Sequence, residues 1–146
     1  MTLPPSNEYG DLPLGVYRVN IDVVVQRFGR GTEQRRLVTG RLLHILALAQ
    51  RTDHLLRLIV FGSYVTDKPA PNDVDVILVM DDEFRIEHCP VEAKGLFDHA
   101  TAQARYGASI FWIRPSLLLG ETIEDFVSHW QIKRDGSKRG ILEVIP

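Results

Sequence analysis

LIVFGSYVTDKPAPNDVDVILVM, residues 58–80, holds two apolar runs joined by a connection rich in turn formers. Leu58 to Phe61 ends at Gly62-Ser63, Pro69 and Pro71 punctuate the link, and the second run opens with Asp73-Val74-Asp75. Apolar residues on both faces of each run predict strands covered on both sides. Side chains alternate along a strand, which puts Asp73 and Asp75 on one face, roughly 6.6 Å apart at about 3.3 Å per residue. Two like charges at that spacing repel by roughly 2.5 kcal/mol at an effective dielectric of about 20. Carboxylates beside buried strands are rare, so the pair reads as chemistry rather than as a wet edge. Mg²⁺ would relieve the repulsion, since it is held by one or two carboxylates with water and phosphate oxygens completing its shell.

Gly62-Ser63 closes the preceding strand. A residue without Cβ lets backbone N–H groups approach an anion, and the Ser63 hydroxyl adds a donor. A short helical turn after it would point its positive end at a phosphate. Lys68, in the same loop, is a cation within reach of phosphate oxygens or a solvated side chain.

Around this stretch lies one domain's worth of chain: 146 residues, 45% hydrophobic and 25% charged, enough to bury a core without crosslinks. The single cysteine, Cys89, excludes an intrachain disulfide. A net charge of -2 gives no overall basic field, and no apolar segment reaches membrane-spanning length. The cytoplasm is the expected location.

Residues 1–15 carry Pro4, Pro5, Gly10, Pro13 and Gly15 and read as an extended arm pinned by Leu12 and Leu14, with residues 16–146 as the single domain. A short helix is expected over Ile21 to Phe28. A longer one starts at Glu33, with Leu37, Val38, Leu42, Ile45, Leu46 and Ala49 inward and Arg35, Arg36 and Arg41 in water. Leu55 to Phe61 is the first central strand. From Pro90 a helix is expected to bury Ala93, Leu96, Phe97, Ala100 and Ala104 and to stop at Gly107, followed by a strand over Ser109 to Ile113. Glu121 to Gln131 has helical spacing, residues 133–140 form a basic turn, and Ile141 to Ile145 suits an edge strand. Strands interleaved with helices predict an α/β or α+β domain with a small mixed sheet.

Other residues point less sharply. His88 and Cys89 are neighbours that would point apart, and His44 reads as a packed or boundary residue of its helix. Tyr64 could stack on a base or cover the sheet edge. Lys133, Arg134, Lys138 and Arg139 form the one dense basic run, either a solvated turn or a docking site for RNA or an acidic partner.

The order of apolar strand, Gly-Ser, about ten residues, Asp-apolar-Asp and second strand resembles the nucleotidyltransferase fold related to DNA polymerase beta, especially its minimal bacterial members, which pair with a helical toxin-type partner. GlySerTyrValThrAspLys, ProAsnAspValAspVal and the arm from Asn7 to Gly15 also resemble an uncharacterised bacterial branch of that superfamily. The resemblance implies that Gly62, Ser63 and Lys68 contact a nucleoside triphosphate and that Asp73 and Asp75 are the catalytic, Mg²⁺-ligating pair. It implies transfer of a nucleoside monophosphate to a protein or RNA hydroxyl. Active members carry a third carboxylate on a later strand, and here Ser109 aligns with it. The alternative is therefore a weak or inactive member serving as an antitoxin-like or regulatory module that binds a protein partner.

Overall fold

Alternate residues of the central strands part to opposite sides of one sheet. The computed structural model describes residues 3–145, so the first two residues of the arm and Pro146 lie outside the described residues. The strands are β1 (Val16–Asn20), β2 (Leu55–Phe61), β3 (Val74–Met80), β4 (Ala108–Ile113) and β5 (Ile141–Ile145), arranged in the order β1-β5-β2-β3-β4. Pairs β1·β5 and β3·β4 are parallel, whereas β2 runs antiparallel to both β3 and β5. This mixed sheet with flanking helices is the α+β architecture that the strand pattern predicts.

Leu58, Val60, Val74, Val76, Leu78 and Met80 face the larger core, shared with α1 (Ile21–Phe28), α2 (Glu33–Gln50) and α3 (His99–Tyr106). Ile59, Ile77 and Val79 face the smaller one, closed by Val127 of α4 (Ile123–His129) with Phe126 and Trp130. Asp75 shares the parity of Ile77 and Val79, so it opens toward the α4 side. No described helix is long and apolar enough to cross a membrane.

Several elements differ from the sequence expectation. Ile141–Ile145 is not an edge strand: β5 lies between β1 and β2, and β1, absent from the sequence reading, holds the edge instead. The helix expected from Pro90 is two pieces, a 3₁₀ stretch over Val91–Phe97 and then α3. Asp98 divides them by turning extended and capping α3, its carboxylate accepting from the Thr101 N–H. Consequently Ala102 and Tyr106 are buried, while Ala100 and Ala104 are exposed. Along α2, Leu37 is 52% exposed and Arg35 only 6%. The helix projects Arg35 at the loop that follows β2, where its charge is satisfied by carbonyls rather than by water.

Residues 3–15 are fastened at several points. Leu12 is fully buried and Leu14 is exposed. Gly10 accepts from the Asp67 N–H, Leu12 from the Gly140 N–H and Gly15 from the Ile141 N–H. The arm thus ties the loop after β2 to the chain entering β5.

Candidate functional site

Gly62 ends β2 with φ +83° and ψ -164°, a conformation that only glycine adopts readily. A Cβ there would stand 1.9 Å from Oδ2 of Asp75, so the carboxylate lies directly against the glycine backbone. Glycine turn and acid are built as one unit. Ser63–Val65 then form a single 3₁₀ turn, too short to supply the helix-end charge expected after Gly-Ser.

The loop's shape is set from beneath by Arg35. Its guanidinium donates to the carbonyls of Phe28 (3.1 Å), Tyr64 (2.9 Å), Thr66 and Lys68 (3.0 Å from Nε). Burial lowers its pKa, with Tyr64 and Asp67 opposing. Tyr64 is fully buried, its ring against Phe28 and its hydroxyl 2.5 Å from that of Thr39, and its pKa is pushed up by burial. Base stacking by Tyr64 is therefore excluded in this arrangement, and it covers the core below the loop.

Parallel pairing of β3 with β4 sets Ser109 opposite Asp75. The Ser109 hydroxyl donates to Oδ2 of Asp73 at 3.2 Å and itself accepts from Nε2 of Gln103 at 3.3 Å. Burial first, then the charge of Asp73, pushes the Asp75 carboxyl up to about 6, while Ser109, Arg139 and Arg134 pull it down. Among the described residues no cluster of three or more His, Cys, Asp or Glu side chains is placed to hold a metal. The acidic group here is a pair completed by a hydroxyl.

Two hollows meet at Gly62 and Asp75. One, of about 510 Å³, is lined by Ser63, Lys68, Asn72, Arg134 and Arg139 as well. The other, of about 390 Å³, runs past Ser109 to Phe61, Phe111 and Trp130. Of the residues singled out by sequence, Gly62, Ser63, Lys68 and Asp75 come together, and Asp73 joins them through Ser109 without lining either hollow. Among the histidines only His99 reaches the site, its ring 5.3 Å from that of Phe111; His88 is exposed beside buried Cys89.

The basic run adds what the sequence reading left at the surface. Lys133 and Arg139 both pair with Asp11, at 3.0 and 3.4 Å, and both line the hollows. Asp11 is only 5% exposed, so the arm contributes a buried anchor for two cations that face the site. Position in the sheet is what brings them there: β5 runs beside β2, and the residues just before it must pass Gly62. Only the density of the basic run signalled this.

Because Asp75 holds its proton to higher pH in the folded chain than its ordinary value of 3.8, its ionised form costs stability. That cost is absent below about pH 4, grows as pH rises to about 6 and is constant above. Partial solvent access keeps it near 1–2 kcal/mol. Asp75→Asn should accordingly be more stable than wild type by about that amount at pH 7.5 and no more stable at pH 4, as read from urea midpoints. Equal midpoints at pH 7.5 would contradict the burial of an ionised carboxylate.

Fold and site define the class: a mixed-sheet α+β domain with an acidic pair and a glycine turn inside a ring of lysine and arginine. The profile of a family of unknown function (DUF6932) matches residues 4–145, and the chain belongs to that family. No curated protein and no solved structure matches the chain.

Proposed function

We propose that the protein binds a nucleoside triphosphate with Mg²⁺ in the cytoplasm and transfers a nucleoside monophosphate to a hydroxyl, as the resemblance to minimal nucleotidyltransferases implies. The observation that carries this reading is the interlock of Gly62 with Asp75 inside a cationic ring. Backbone exposed at a glycine, a carboxylate held against it and four cations, Lys68, Lys133, Arg134 and Arg139, suit a polyphosphate with its metal.

The residues present fit Mg²⁺. Asp75 is an ionised acid disfavoured by burial and by Asp73, and a divalent cation removes both penalties. Asp73 and Asp75 would hold the ion, with Ser109 beside them and phosphate oxygens completing the shell. The metal would neutralise charge on the phosphates during transfer. Ser63, Lys68, Arg134 and Arg139 would grip and orient the triphosphate. The acceptor hydroxyl would give up its proton to solvent, and its oxygen would bond to the α-phosphorus as the bond to pyrophosphate breaks.

A second reading is a slow or inactive member that serves as a binding module for a protein partner of toxin type. Ser109 favours it, since a serine opposite Asp75 supplies no third carboxylate to take the acceptor's proton.

Calorimetric titration with ATP, GTP, CTP and UTP, with and without Mg²⁺, tests the first reading. Metal-dependent binding of at least one nucleotide is expected, and its loss in Asp73→Ala/Asp75→Ala. Absence of binding to all four would overturn it in favour of the binding module. Ser109→Asp separates the two by rate: a large gain in transfer identifies a slow enzyme short of one acid.

A further inference from the structure

We propose that the basic turn and the aromatic residues on its two sides bind a single-stranded nucleic acid, running from Phe111 and Trp130 past Arg134 and Lys138 to Tyr9. The proposal deepens the reading above by naming the acceptor class, and rests on it. On one side of the turn, Phe111 is 39% exposed with its ring 5.3 Å from that of Trp130, in the hollow that also holds Asp75 and Arg134. The Trp130 indole N–H itself is buried and has no hydrogen-bond partner among the described residues, so the ring and not its N–H is what the hollow offers. On the other side, Tyr9 is 78% exposed and lines a separate hollow of about 370 Å³ with Lys133 and Lys138.

Charge in the turn suits a polyanion. Lys133 and Arg139 are pinned by Asp11, whereas Arg134 and Lys138 have no acidic partner among the described residues. The one acid of the turn, Asp135, is engaged by the N–H and hydroxyl of Ser137. Exposed rings alternating with cations are how proteins follow a single strand, with bases stacked on the rings and phosphates on the cations. A triphosphate at Gly62-Ser63 uses neither Tyr9 nor Lys138, and a tyrosine or serine side chain of a protein acceptor would leave the cations unmatched.

Trp130 reports on the site once Trp112→Phe removes the other tryptophan. Quenching would be followed with an alternating A/C ribohexamer, the matching deoxyhexamer and AMP. At least one hexamer is expected to bind tenfold or more tighter than AMP. Tyr9→Ala and Phe111→Leu should each weaken the hexamer about tenfold. Arg134→Ala/Lys138→Ala should reduce the slope of log affinity against log salt by about 1.4. Hexamers binding no better than AMP, or indifferent to Tyr9→Ala, would overturn the proposal. Preference for the ribohexamer or for the deoxyhexamer supports it equally and names the sugar. Mg²⁺-nucleotide titration of the wild type beside the hexamer titration separates the two readings: hexamer binding without any nucleotide binding removes the nucleotide site alone, and intact nucleotide binding with no hexamer binding removes the strand alone.

Discussion

Gly62→Ala is expected to abolish Mg²⁺-dependent nucleotide binding and to destabilise the fold by about 3 kcal/mol. Two independent causes act together. At φ +83° and ψ -164° an alanine is strained by about 1–3 kcal/mol. The new methyl would also stand 1.9 Å from Asp75 Oδ2, well inside van der Waals contact, so the carboxylate must leave its place on β3. A double-mutant cycle divides the causes, because in an Asp75→Ala background the clash is gone and only the backbone strain remains. Urea midpoints of the four proteins give the coupling directly. If Gly62→Ala costs the same with and without Asp75, the interlock of turn and acid is wrong.

Arg35→Met should be the other severe change, losing about 3–5 kcal/mol. Methionine keeps much of the stem but leaves the carbonyls of Phe28, Tyr64, Thr66 and Lys68 without the donors that now satisfy them. Arg35→Lys should recover little, since a compact ammonium cannot spread a planar fork across groups from two separate segments. Hydrogen exchange over residues 63–68 distinguishes a loop that has come loose from a general loss of stability. A lysine variant as stable as wild type would show that charge alone, not the fork, holds the loop.

Sequence carried the centre of this molecule and not its rim. Runs at Leu55–Phe61 and Val74–Met80 are apolar on both faces, so their strands could be read without a partner strand in view, whereas Asp73 falls one residue before β3 and strand alternation does not fix its side chain. Val16–Asn20 could not, because only Val19 of its five residues is buried and a Pro/Gly-rich segment precedes it. Missing β1 made β5 look like an edge. Arg35 was hidden for a different reason: a charged residue in the first turn of a helix is ordinarily solvated, and only the return of residues 64–68 beneath it makes burial possible. Lys133, Arg134 and Arg139 were visible as a basic run, but the surface they face depends on where β5 enters the sheet. Asp11 gave no signal at all, since its two cationic partners lie more than a hundred residues away.

The position of β5 also constrains how the fold can close. Its parallel partner β1 comes from the start of the chain and its antiparallel partner β2 from the middle, so neither has a neighbour on that side until residues 141–145 are available. Contacts of such long sequence separation form late and slowly. During synthesis β2 and β3 can pair as soon as both exist, yet the flank of β2 stays open and Asp11 has no cation to meet. Asp75, the glycine turn and Lys68 are therefore in place well before Lys133, Arg134 and Arg139, and the last strand to dock brings most of the cleft's positive charge.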